Sequence, residues 1–128
     1  METIKHHEYS YIILSIEDGI MYGLYKAGPV FNINIAKQCV KDRLAFAEGK
    51  TYPALIDIRN IKSIDKDARD YLGSKEATQQ INAAAILMSS YVGKMIATIF
   101  LTFNKPSSVP MKLFSDKKDA IKWLKKYA

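Results

Sequence analysis

The chain has 128 residues, 48% hydrophobic and 25% charged, with a formal net charge of +6. That length fits one domain, able to bury about two-thirds of its unfolded surface without staples, and the mix excludes a disordered or collagen-like chain. The lone Cys39 excludes an intramolecular disulfide, no uncharged stretch matches the ~20 apolar residues of a membrane span, and no secretory leader precedes the first strand-like run, so a reducing, cytoplasmic setting is expected.

Residues 8–16 are aromatic and β-branched and predict a strand. Glu17-Asp18-Gly19 supplies turn chemistry, and Ile20 to Lys26 predicts the returning strand, with Ile20, Tyr22 and Leu24 on one face. The chain is thus expected to open with a β-hairpin. Helical spacing follows over 35–48, where Ile35, Cys39, Val40, Leu44 and Ala47 share a stripe. Asn34 is its expected N-cap and Gly49 its stop. Cys39 lies in the apolar stripe with no His or Asp spaced to activate it, and is expected in the core.

Tyr52 to Ile58 predicts a buried strand that runs into a charged loop. Asp65 or Ser63 can cap a short helix through Ala68, Tyr71 and Leu72, which Gly73-Ser74 interrupts; Ser74 can restart a turn through Gln80. Ala83 to Met88 predicts a second buried strand. A helix capped by Ser89 or Ser90 is expected next, with Tyr91, Val92, Met95, Ile96, Ile99, Phe100 and Phe103 at steps of three and four. Val109 to Phe114 predicts a final edge strand, because Pro110 cannot donate to a ladder. Ser115 or Asp116 caps the last helix, whose expected buried stripe is Ala120, Trp123, Leu124 and Tyr127. Strands alternating with helices imply a mainly parallel sheet with the hairpin at one edge. Leu55, Ile56, Ile86, Leu87, Trp123 and Leu124 are expected to be buried.

The positive charge concentrates at the end of the chain. Residues 105–128 hold seven Lys against two Asp. A solvated helix face explains this pattern better than a nucleic-acid or anionic-membrane site, because phosphate readers recruit Arg for its planar fork. The stretch 77–104 carries one charge, Lys94. Its apolar residues Tyr91, Met95, Ile99, Phe100 and Phe103 need cover: the domain's own core, a homodimer surface or the wall of a pocket for an apolar small ligand.

Catalytic signatures are missing from the sequence: there is no Gly-rich phosphate loop, no nucleophile elbow and no zincin helix. Asp57, Asp65, Asp67 and Asp70 could be a magnesium set, but Arg59, Lys62, Lys66 and Arg69 interleave with them, and ion pairing explains both. His6 and His7 are neighbours, which on a strand point to opposite faces, and terminal disorder is expected for them. No metal, cofactor or catalytic residue is expected, and the chain reads as a non-enzyme.

The run from Asp57 to Ala68 resembles the signature of STAS domains, the sulfate-transporter and anti-sigma-factor-antagonist domains of SpoIIAA-like fold. Their pattern is Asp-Leu-Ser-x-Val-x-x-Ile-Asp-Ser-Ser-Gly, which Asp57, Ile61, Ile64 and Asp65 match without a gap. Leu55 to Arg59, Ala68 to Leu72, Ala85-Ile86-Leu87, Asn104-Lys105-Pro106, Pro110, Phe114, Ala120 and Trp123-Leu124 are similar to small bacterial STAS/SEC14-like proteins.

The resemblance implies one STAS-like α/β domain over residues 1–128, with a mixed, mostly parallel sheet and helices packed on it. It implies a protein-interaction module whose partner-binding loop contains Asp57, Arg59, Asp65, Lys66, Asp67 and Arg69. The serine that is phosphorylated in the antagonists aligns with Asp67, and the following Gly with Ala68, so a serine phospho-switch is not expected. A carboxylate mimics phosphoserine only in part, since phosphate carries about −1.5 to −2 charges. The SEC14-like similarity implies, as the alternative, a carrier or sensor of an apolar, lipid-like ligand.

Overall fold

The structure is a computed structural model and describes residues 5–28, 30–89 and 109–128. Six strands form one sheet in the order β1-β2-β3-β4-β5-β6: β1 Lys5–Glu8, β2 Ile12–Glu17, β3 Ile20–Tyr25, β4 Tyr52–Asp57, β5 Ile81–Leu87 and β6 Met111–Phe114. β1, β2 and β3 pair antiparallel, and β3 through β6 pair parallel. The sheet is therefore mixed and mostly parallel, as the sequence implies. Among the described residues three helices accompany it: α1 Ile33–Ala47, α2 Lys66–Leu72 and α3 Lys117–Leu124, the last extended by a 3-10 turn over Lys125–Tyr127.

The β2–β3 hairpin turns on Asp18 and Gly19, with φ of 54° and 77°. Two positive φ values match the right-handed twist of the flanking strands, and Gly19 takes its value without a Cβ penalty. The single strand expected over 8–16 is two strands. Tyr9 N–H donates to the Ile12 carbonyl at 2.8 Å, which folds the chain back and frees 5–8 to pair as β1. His6 and His7 thus lie in a strand, not in a disordered end. Helix α1 starts two residues earlier than expected. Asn32, not Asn34, is the N-cap, its side chain accepting from Ile35 N–H at 2.9 Å. Phe31 is held extended by a parallel bridge to Ile64, so the helix can only begin after it. Pro53 lies inside β4, where a register shift at Tyr52/Pro53 accommodates the missing donor.

The sheet has a closed face and a half-open face. On the closed face, α1 and α2 cover Ile12, Leu14, Met21, Tyr25, Ala54 and Ala84, with Cys39 and Phe46 buried beneath α1. On the other face α3 packs Ala120 and Leu124 onto Ile20, Leu55, Ala83, Ala85 and Leu87. Alanines on both sides of that contact let the helix lie close to the strands. Of the residues expected to be buried, Leu55, Leu87 and Leu124 are, whereas Ile56, Ile86 and Trp123 are half-buried. Trp123 sits at the border of its cluster, against the Phe114 and Tyr127 rings at 5.8 and 5.2 Å. Edge strand β6 and the Asp116 cap of α3 agree with the sequence. The apolar helix expected from Ser89 or Ser90 to Phe103 lies outside the described residues. Among the described residues no helix is long and apolar enough to cross a membrane.

Candidate functional site

The strand register sets the chemistry of the half-open face. One row across the sheet runs Glu8, Ile13, Leu24, Asp57, Leu87 and Phe114, and the next runs His6, Ser15, Tyr22, Leu55, Ala85 and Lys112. Helix α3 covers the Leu55, Leu87 and Phe114 side of these rows. Beyond its edge Ile13, Ser15 and Tyr22 are half-buried, and Leu24 keeps 36% exposure. The step between helix and sheet is a groove of about 700 Å³. Ile13, Ser15, Tyr22 and Leu24 form its floor, and Lys117, Ile121 and Lys125 form the helix wall. Asp57, Arg59 and Asn60 close the end at which the parallel strands finish, and Glu17 and Asp18 of the hairpin line it as well. Open α/β sheets bind ligands beyond the carboxyl ends of their strands.

Asp57 and Arg59 are built as a unit. The Asp57 carboxylate, only 6% exposed, accepts from Arg59 Nε at 3.0 Å, from Nη2 at 2.7 Å and from the Arg59 backbone N–H at 3.1 Å. A carboxylate at that depth needs such pairing. In return it fixes the guanidinium, whose side chain is 47% exposed, in one plane at the mouth of the groove. The carboxylate also holds Arg59 above its ordinary value through the hydrogen bond. Lys117 Nζ lies 5.8 Å from the centre of the Tyr22 ring, a cation over an aromatic face. Burial first, then Glu17 and Asp18, raises the Tyr22 phenol, so it remains a neutral donor and acceptor.

The rest of the sequence-expected loop lies elsewhere. Asp65, Lys66, Asp67 and Arg69 do not line the groove; they form the start of α2. Backbone bonds immobilise this second region. Phe31 N–H donates to the Ser63 carbonyl at 3.1 Å, and Asp65 N–H donates to the Phe31 carbonyl at 3.0 Å. Arg69 Nη1 donates to the Ile64 carbonyl at 3.2 Å, and Lys66 pairs with Asp70 at 3.1 Å. Asp67 is exposed in the first helical turn, where a carboxylate suits the backbone N–H groups. Asp65 flanks the helix without a side-chain capping bond. The structure thus divides the six expected loop residues between two sites. Tyr91, Met95, Ile99, Phe100 and Phe103 lie outside the described residues. Among the described residues no three His, Cys, Asp or Glu side chains gather where they could hold a metal ion.

Sequence reasoning missed the groove and one buried charge. Arg43 of α1 is 4% exposed and donates to the Ala77 and Gln79 carbonyls at 2.8 Å each. It locks α1 to the turn before β5, and burial lowers its pKa. Read by period, Arg43 falls off the apolar stripe. The signal that could have placed it is the alternative stripe Ala36, Cys39, Val40, Arg43, Phe46 and Ala47, all buried. Cys39 is buried beside it, and burial with Asp42 pushes its thiol up to about 12. Such a thiol is inert.

These features define a small mixed α/β domain of SpoIIAA-like fold. A solved structure of an uncharacterised protein of the DUF3478 family from Shewanella loihica PV-4, described as having a SpoIIAA-like fold, superposes with a TM-score of 0.55. The match covers 95% of this chain and 92% of that one at 20% identity, a likeness of fold alone. No curated protein matches the sequence. The chain belongs to the family described as domain of unknown function DUF7793, whose family model matches residues 14–128.

Proposed function

We propose that the protein is a non-catalytic, STAS-like interaction module that recognises a protein partner through the start of α2. The observation that carries this reading is Asp67: an exposed carboxylate in the first turn of a helix whose approach is tied to Phe31 by two backbone hydrogen bonds. A recognition surface that is already ordered loses little entropy when it binds. The charge at Asp67 is permanent, so binding needs no kinase, in contrast with the serine switch of the antagonists. Exposed Lys66 beside it and half-exposed Arg69 offer charges of both signs, the pattern that sets register with a protein surface. The sequence of the Tyr91–Phe103 segment adds a homodimer to this reading. A cytoplasmic setting accords with the lone cysteine.

Asp67→Ser and Asp67→Ala should both fold, at a cost of about 1 kcal/mol or less for an exposed first-turn residue. Both should change the affinity of a partner that co-purifies from the protein's own host, measured by titration with the purified partner. If both leave that affinity unchanged while substitutions on another surface abolish it, recognition does not run through this loop.

A further inference from the structure

The groove beside α3 has the size and the polarity of a small-molecule site. Its volume of about 700 Å³ falls within the roughly 300–1,000 Å³ of ligand pockets. Its two ends differ in charge. At the end where the parallel strands finish stand Arg59 and Lys117, with the amide of Asn60. Arg59 is oriented in advance by the buried Asp57 carboxylate, through Nε and Nη2. Among the described residues, Lys117 has no carboxylate within ion-pair distance. Its ammonium is held over Tyr22.

The floor between the ends is apolar where Ile13 and Leu24 face each other across β2 and β3, and Ile121 faces it from the helix. Four residues further back along β3, roughly 13 Å at strand rise, the hairpin presents Glu17 and Asp18.

We propose that this groove binds a small amphipathic monoanion, with its acid group at Arg59, Lys117 and Asn60 and its apolar body on Ile13, Leu24 and Ile121. The fixed guanidinium suits a planar carboxylate, which it meets edge-on with paired donors. At the far end Glu17 and Asp18 outnumber Lys125 among the lining residues, which disfavours a second negative group there. That arrangement disfavours polyanions such as nucleic acid, and Lys117, the charge at the Arg59 end not paired with a carboxylate, disfavours a cationic head there. Asp67 lies outside the groove, so the fate of this site leaves recognition through the α2 loop untouched.

The test titrates the full chain with decanoate, decanedioate and decylammonium, each below its micelle concentration, followed by backbone amide shifts. Decanoate should saturate one site, moving the amides of Ser15, Tyr22, Leu24 and Ile121. It should bind at least about tenfold more tightly than either of the others, as expected for charges that meet at partly buried contacts. Lys117→Glu should weaken decanoate by about tenfold or more. Lys122→Glu, exposed on the same helix outside the groove, should change it by less than about twofold, because solvent screens a remote charge. Should Lys117→Glu fail to fold, Lys117→Gln should still weaken binding while Lys122→Gln does not. The proposal is overturned if decanoate gives no saturable shift, or if the shifts centre away from β2, β3 and α3. It is equally overturned if decanedioate or decylammonium binds as tightly, or if the Lys122 variants weaken binding as much as the Lys117 variants.

Discussion

The two faces of the sheet are built from the same strands and carry different burdens. On the closed face, α1 and α2 bury large side chains, including Leu14, Met21, Phe31 and Phe46, together with Cys39 and the Arg43 clamp. Even edge strand β1 is anchored there, by Lys5 Nζ at 2.7 Å from the Phe46 carbonyl and 4.7 Å from the centre of its ring. On the half-open face one short helix meets a floor of alanines, and Ile13 and Leu24 stand outside the buried cluster that α3 forms there. Among the described residues the larger buried cluster lies on the closed face, which should therefore carry more of the stability. The other face can therefore leave apolar side chains and an oriented arginine at the surface, where they are available to a ligand.

The largest expected effect tests that division. Phe46→Ala removes a 3% exposed aromatic from the closed face and should cost about 3–5 kcal/mol in denaturant unfolding. Trp123→Ala on the other face should cost only about 1–2 kcal/mol, because that ring is half-buried and part of its packing is against Tyr127 at the chain's end. Equal losses would show that the half-open face is as important to stability as the closed one.

The next effect uses thiol chemistry to compare the faces. Cys39 holds its proton to about 12 because burial, with Asp42 adding, disfavours the thiolate. The unfolded thiol titrates near its ordinary value, so above that pH the folded chain binds more protons than the unfolded one. Stability from this group is whole below the unfolded value and is lost as pH rises towards about 12, by an amount on the order of 4 kcal/mol. Tyr25, fully buried, is raised as well and acts in the same direction. Cys39→Ala should flatten this alkaline fall in urea unfolding measured across pH. A thiol placed by Ser15→Cys in the groove should react with a disulfide reagent at neutral pH while Cys39 remains unreactive until the chain opens.

What was legible in the sequence follows the same division. Period and punctuation located the sheet, α1, α2 and α3, because each is bounded by Asx, Ser or Gly residues with a local role. The split between β1 and β2 was hidden, since Glu8 to Ile16 is uniformly β-prone and the bond that breaks it, Tyr9 to Ile12, leaves no compositional trace. Asn32 and Asn34 are equal caps by type; only the bridge of Phe31 to Ile64, distant in sequence, chooses between them. The charged loop was visible as a unit because its residues are contiguous. Its division between groove and α2 depends on where β4 ends and on which face the chain then crosses. Ile20, Tyr22 and Leu24 were visible as one face. That α3 covers the Ile20 end and leaves Leu24 bare is a fact of tertiary packing between segments about 100 residues apart.

The smallest expected effect sharpens the comparison most. Both main helices begin with the same device, an Asx side chain accepting from the first turn: Asn32 from Ile35 N–H on the closed face, and Asp116 from Lys118 and Asp119 N–H on the half-open one. Replacing either by Ala should cost about 1 kcal/mol, since the local chemistry is alike. The consequences should differ. Helix α1 has 15 residues locked by Arg43 and by a broad core, so Asn32→Ala should lower the protection of its amides only as far as global unfolding does. Helix α3 has 8 residues held mainly by Ala120 and Leu124, so it can open without the rest of the sheet. In Asp116→Ala, native-state hydrogen exchange should therefore quicken at Ala120 to Leu124 about fivefold, the factor that about 1 kcal/mol corresponds to, while amides of β4 and β5 change less. Equal changes in α3 and in the central strands would mean that α3 opens only with the whole domain, and that the wall of the groove is as fixed as its floor.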